Sequence, residues 1–283
     1  MKRPAEKYFW LAFIYMMPLL AFAQVDSIDK RLDAAKDDTS KVLELLRVSL
    51  RFQGNNRTAA FHYGELGLKM AESLGYQKGQ GRAHNNLGDL YWYTGDYASS
   101  SDHYFRALKI YESLKDRKSI GFCYRNIGWV YYKQDDIENA LKYYNLSLGI
   151  NKELGLKERL GQNYNDIGII YANKKRFTDA LAMYAMSLKI QQETNNTYGM
   201  IANYGNMGLI YDEMGELGQA EKYLTSALEL AEKENNKDYL SLGYLNLGNL
   251  YSKTNRMAEG EKLMLKGMQA ARDINYKEGM LDA

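Results

Sequence analysis

Proline is almost missing from this chain. Pro4 and Pro18 are the only two in 283 residues, and both lie in the N-terminal segment that ends at Ala23. The rest contains nothing that must break a helix. Cysteine occurs once, at Cys123, so no internal disulfide can brace the fold and no cysteine cluster can hold zinc. Histidine occurs three times, at His62, His84 and His103, with no partner at metal-ligand spacing. An excess of one charge is also lacking. Lys2, Arg3, Lys7 and Glu6 fall in the N-terminal segment, and the remainder carries 34 basic and 34 acidic residues. That balance gives no electrostatic case for a nucleic acid or an anionic membrane surface.

These absences weigh against an enzyme, which needs a convergent set of reactive groups. The stretch GDYASSSDHY holds serines and a histidine, but they fall in a turn and the start of a helix. Cys123 occupies the place that Ala83 takes elsewhere and reads as a small packing residue. The sequence therefore predicts no catalysis, no cofactor and no metal.

The N-terminus has its own pattern. A basic start, MKRPAEK, precedes the apolar run YFWLAFIYMMPLLAFA, and AFA before Gln24 is a small-x-small cleavage site. Residues 1–23 read as a secretory signal peptide cleaved after Ala23, which places the mature chain in the periplasm or outside the cell. A retained membrane anchor fits less well, because the run is short for a span of about 20 residues and Pro18 interrupts it. No cysteine follows to carry a lipid.

What the chain has in abundance is repetition. NNLGDLYWYTGDY returns, altered, at one fixed interval, with its glycine at Gly88, Gly128, Gly168, Gly208 and Gly248. Tyrosine follows three places on, at Tyr91, Tyr131, Tyr171, Tyr211 and Tyr251. One place before the glycine come Leu87, Ile127, Ile167, Met207 and Leu247, and four before it His84, Tyr124, Tyr164, Tyr204 and Tyr244. Spacings of three and four mark one buried helix face. A second helix follows a short polar turn. Its small residues Ser100, Ala140, Ala180, Ala220 and Gly260 alternate with Tyr104, Tyr144, Tyr184, Leu224 and Met264, as ridges entering grooves require. Gly75, Gly155, Asn195, Asn235 and Asn275 stand where the second helix should stop, in residue types that tolerate a left-handed backbone; Lys115 breaks the series. One such unit cannot bury its apolar face alone, so the units must stack into an all-α solenoid.

These residues resemble the tetratricopeptide repeat family. The resemblance is carried by L-G-x-x-Y (Leu87, Gly88, Tyr91 and their equivalents) and by small residues twelve and nineteen places after the glycine. It covers roughly residues 41–280 and implies a right-handed α-α superhelix of stacked antiparallel helix pairs. The 40-residue period is longer than the usual ~34, and the proline common at the repeat end is missing. The long-repeat form is similar to peptide-binding adaptors and bacterial signalling proteins. The expected organisation is a signal peptide at 1–23, capping helices and a degenerate first repeat at 24–79, five repeats at 80–280, and the start of a truncated further repeat at 281–283. The cap of the helix beginning near residue 41 is expected at Thr39 or Ser40.

The candidate site is a surface. Positions six and two before the glycine, and one and five after it, span only about 60° of the first helix. In the resembling family this stripe lines the concave side. Two before the glycine stand Asn86, Asn126, Asp166, Asn206 and Asn246. An amide offers both a donor and an acceptor, so this ladder can hold a peptide backbone, or instead tie each helix to its neighbour. Asp89, Phe122 and Trp129 lie on the same stripe, with Trp92, Tyr93 and Tyr132 near it; exposed rings beside amides resemble an interface anchor. Packing against neighbouring helices is the plainer use for them. Arg82, Lys133, Glu213 and Lys253 would tune specificity at the edge.

The expectation is an exported, non-catalytic scaffold that binds a protein or peptide in its groove. The alternative is the extracytoplasmic input region of a sensor kinase or transcriptional regulator, cut from a longer chain. Membrane association enters only in that case, through a span that would follow the repeats.

Overall fold

A computed structural model describes residue 25, residues 28–32 and residues 34–281, with side chains through residue 273. The leader at 1–23 and residues 282–283 lie outside the described residues. The chain divides into two compact units, one running up to Asp116 and one from Arg117 to Asn275.

The first unit contains α1 (Thr39–Phe52), α2 (Arg57–Ser73), α3 (Gln77–Tyr93) and α4 (Tyr97–Ser113). The second contains α5 (Arg117–Lys133), α6 (Ile137–Glu153), α7 (Lys157–Asn173), α8 (Phe177–Glu193), α9 (Thr197–Glu213), α10 (Leu217–Lys233) and α11 (Lys237–Lys253), and most of α12 (Met257–Leu281). From α2 to α11 every helix has the same length, 17 residues, and every link is equally short. The structural beat is thus half the sequence period. No strand occurs among the described residues.

The links explain the beat. Their middle residue is left-handed throughout, with φ between 49° and 79° at Gly75, Gly95, Lys115, Asp135, Gly155, Lys175, Asn195, Gly215, Asn235 and Asn255. Lys115 is therefore no exception. Its N–H donates to Glu112 O (3.0 Å) and the next N–H to Tyr111 O (2.9 Å), closing the same turn that Gly75 closes. The third link residue then caps the following helix where it can: Asp96, Asp136, Asn196 and Asn236 each accept a backbone N–H three residues on. Two expectations need correction. The cap of α1 is Asp38 rather than Thr39 or Ser40. Its carboxylate accepts from both Ser40 N (2.8 Å) and Lys41 N (3.2 Å). Asn275 does not stop a helix, since α12 runs through it to Leu281; asparagine permits a left-handed backbone without imposing one.

The motif glycine forms a seat. A Cβ on Gly128 would lie 2.9 Å from the Tyr144 ring, and one on Gly168 would lie 2.7 Å from the Tyr184 ring. Gly88 and Tyr104 match them in the first unit, at 2.7 Å. Tyr144 and Tyr184 are buried between this seat and the next first helix, through Ile167 and Ile170 and through Met207 and Ile210, each contributing on the order of 2–3 kcal/mol through removal from water. The small residues of the second helices bond back to the first: Ser100 Oγ donates to Gly88 O (2.9 Å), Ser147 to Gly121 O (2.7 Å) and Ser187 to Gly161 O (2.8 Å). A buried hydroxyl is thereby satisfied while the backbones stay close.

In the first unit the segment at 28–32 covers the start of the stack. Ile28 and Leu32 join Leu45, Val48, Phe52 and Tyr63 in one apolar cluster, and the Tyr63 hydroxyl donates to Asp29 (2.8 Å). Cys123 is buried, in keeping with a packing role.

Candidate functional site

The stripe is not uniformly open. Asn86, Asn126 and Asp166, expected on an exposed face, are only 5%, 8% and 2% exposed. Helix geometry alone hides the reason. A first helix in a stack meets its own second helix and also the first helices on either side, so little of its circumference is left for solvent. Within each unit, position −2, counted from the glycine, faces the preceding first helix. In the second unit it pairs with position −3 of that helix. Arg125 Nε donates to Asp166 Oδ2 at 2.6 Å and its Nη2 to Oδ1 at 3.2 Å; Asn206 Nδ2 donates to Asn165 Oδ1 at 3.2 Å. In the first unit Asn86 Nδ2 reaches Leu46 O at 3.2 Å. These amides and acids knit helix to helix.

The register breaks once. Opposite Asn246 the −3 position is Gly205, which has no side chain, and Asn246 is half-buried with no side-chain hydrogen bond among the described residues. Asn206 spends one N–H on Asn165 and keeps its oxygen for another partner.

The aromatic members are also engaged. Trp129 is half-buried and meets Tyr132 and Tyr144 edge-on, at 5.5 and 6.2 Å. The Arg159 guanidinium lies over the Phe122 ring, 5.3 Å from its centre. Both rings serve packing within the unit. Asp89 accepts a hydrogen bond from the Tyr104 hydroxyl at 2.5 Å, and burial pushes its carboxyl up to about 6. At the edge, Arg82 is exposed, Lys133 lies near the Tyr132 ring, Glu213 pairs with Lys175, and Lys253 Nζ bonds Asp212 at 2.7 Å.

The stripe does bring one cleft together. Between α7, α8 and α9 lies a pocket of roughly 240 Å³. Ile169, Phe177, Leu209 and Ile210 supply its apolar lining; Asn173, Asn206 and the Lys175–Glu213 pair form its polar side. Ile169 and Leu209 sit one place after the motif glycine, where Trp129 stands in α5, and Leu209 is 41% exposed. The volume falls below the ~300–1,000 Å³ usual for small-molecule sites and suits a single large side chain. Sequence reading places the anchor on Trp129 and Phe122; Lys175 and Phe177, which complete the cleft, lie outside the stripe on a link and a second helix. No group of three or more His, Cys, Asp or Glu suited to a metal occurs among the described residues. No helix among them is long and apolar enough to cross a membrane.

Family models described as tetratricopeptide repeat match residues 79–153, 159–233 and 243–274. The chain belongs to the tetratricopeptide repeat family. The matched segments include every motif glycine of this tetratricopeptide-repeat chain. No curated protein matches it. Among solved structures it is similar to the apo form of RapI (14% identity, 96% of this chain and 99% of that one, TM-score 0.70). It is also similar to PH0952 of Pyrococcus horikoshii, a signal transduction ATPase with a tetratricopeptide repeat sensor (15% identity, 95% and 42%, TM-score 0.71). A third likeness is to NprR in complex with its cognate peptide NprX (18% identity, 96% and 80%, TM-score 0.63). At these identities the likeness is one of fold.

Proposed function

We propose that this chain is a non-catalytic scaffold that captures an extended segment of a partner protein along the first helices of its Arg117–Asn275 unit. The observation that carries the reading is the cleft between Ile169 and Leu209, apolar within and flanked by amides. One large apolar side chain of the partner fills it. Asn206 and Asn246, the two stripe amides that remain half-exposed, hydrogen-bond the partner's backbone. The Lys175–Glu213 pair on the polar side of the cleft selects among partners by the charge flanking the anchor. A fold relative, NprR, binds a peptide, and that supports a peptide-like ligand here.

The basic start, apolar run and AFA site support export of the mature chain from Gln24 onward, with its partner outside the cytoplasm. A second reading makes the repeats the input region of a signalling protein. It is favoured by the likeness to PH0952, whose repeats are described as a sensor. Capture followed by mass spectrometry, with a photo-cross-linker placed at Leu209, tests the scaffold reading. Cross-links to one partner segment are expected. Cross-links spread evenly over abundant proteins would remove it. Reading the gene beyond Ala283 tests the second reading, which requires a membrane span and an output domain.

A further inference from the structure

The first full repeat carries two histidines at places that hold two tyrosines in the α5–α6 and α9–α10 repeats; the other two repeats have Met183 and Leu263 at the second of these places. Four places before the motif glycine it has His84 in place of Tyr124, Tyr164, Tyr204 and Tyr244; fifteen after it, His103 stands where Tyr143 and Tyr223 stand. In the second unit these places form stacked clusters. Tyr131 lies on Tyr143 (5.4 Å, 7°) and Tyr211 on Tyr223 (5.3 Å, 6°), with Tyr124 and Tyr204 tilted beside them.

In the first unit the same three places hold His84, Tyr91 and His103. Tyr91 stacks on His103 at 5.3 Å, and Phe61 of α2 meets Tyr91 edge-on at 4.9 Å. The imidazoles of His84 on α3 and His103 on α4 face each other through Nδ1, 3.0 Å apart. Two imidazoles alone do not make a metal site, and no third His, Cys, Asp or Glu completes one among the described residues.

At that separation one Nδ1 carries a hydrogen and the other a lone pair. A first added proton goes to the outer nitrogen of the donor ring and leaves the bridge intact. A second must go to the accepting Nδ1. It removes the bridge and leaves two cations facing each other. The charged groups around the pair are Asp102 and Arg106 on α4 and Glu65 on α2. Burial opposes charge on both rings and is the largest influence; Asp102 favours the cation and Arg106 opposes it. His84 is pushed down to about 4, and His103 lies below its ordinary value.

We propose that the His84–His103 pair is an acid-sensitive latch between the two helices of the first full repeat, closed near neutral pH and broken when both rings are protonated. The folded repeat binds these protons more weakly than the unfolded chain, so its stability falls as pH drops below the ordinary histidine value. Asp89, in the same repeat, acts in the opposite sense because its carboxyl is raised. A comparison of two chains that both contain Asp89 isolates the histidines.

The test is hydrogen exchange on the full chain, read on peptides from residues 77–113, for the wild type and for His84→Tyr/His103→Tyr, which places there the tyrosines of the α5–α6 and α9–α10 repeats. Between pH 7 and 4.5 the opening constant of the wild type should rise relative to the variant by on the order of 30-fold. A constant ratio overturns the latch. Should the double variant not fold, ¹⁵N NMR of the wild type at pH 7.5 decides. One ring protonated at Nδ1 and one at Nε2 is expected; two Nε2 tautomers overturn it.

Discussion

The ring of Tyr184 rests directly on the α-carbon of Gly168, with Cε1 only 2.7 Å from where a Cβ would stand. The glycine is present because the tyrosine of the following helix occupies its side-chain space. The ring packs with Ala180 and with Met207 and Ile210 of the following repeat, borders the cleft between α7, α8 and α9, and is only 2% exposed.

Gly168→Ala should therefore lower stability by about 1–3 kcal/mol through overpacking. Gly149 is the control. It lies exposed inside α6 with nothing within 4 Å of a Cβ, so Gly149→Ala should raise stability by about 0.5–1 kcal/mol through helix propensity. Opposite shifts in thermal melts of the two variants are expected. A neutral Gly168→Ala would mean that the seat is loose.

The Arg125–Asp166 pair ties α5 to α7 with both carboxylate oxygens engaged and Asp166 fully enclosed. Burial is the dominant influence on Asp166 and pushes its carboxyl upward, while Arg125 works against that. Arg125→Met keeps the apolar stem and removes the cation, stranding a buried charge. A loss of about 3–5 kcal/mol is expected at pH 8. The loss should shrink as pH falls and the carboxyl takes a proton. Denaturant unfolding at pH 8 and pH 5 measures both values, and equal losses would rule out the assignment.

Asp89 has its pKa raised to about 6, so its stabilising contribution is complete below the unfolded carboxyl value near 3.8 and is lost as pH rises through 6. Asp89→Asn keeps an acceptor for the Tyr104 hydroxyl and removes the charge. The variant should melt higher than the wild type at pH 7.5 and no higher at pH 4. A pH-independent difference would show that desolvation of Asp89 is not the cause.

Much of this architecture is legible in the sequence, because the Gly88–Gly248 series and its following tyrosines report a contact that every repeat must make. The left-handed links are half legible. Gly75 and Asn195 advertise them, whereas Lys115 and Lys175 adopt the same backbone under the pull of two turn hydrogen bonds. Sequence reading leaves the amide stripe open between a peptide ladder and a tie to the neighbouring helix, because a helical wheel gives an angle but not the neighbours. Asn86 and Asp166 point away from the second helix of their repeat and yet face another first helix. The His84–His103 pair has a signal, since His103 aligns with Tyr143 and Tyr223 fifteen places after the glycine. It emerges only when the second helices are aligned as closely as the first.

The partner site is tested most sharply by comparing Leu209→Glu with Met186→Glu. The two side chains are similarly exposed, at 41% and 47%, but Leu209 lines the cleft and Met186 does not. With melting temperatures of the two variants matched, Leu209→Glu is expected to abolish partner capture from the native extract and Met186→Glu to leave it at the wild-type level. Equal capture by both variants would show that the cleft between Ile169 and Leu209 is not where the partner binds.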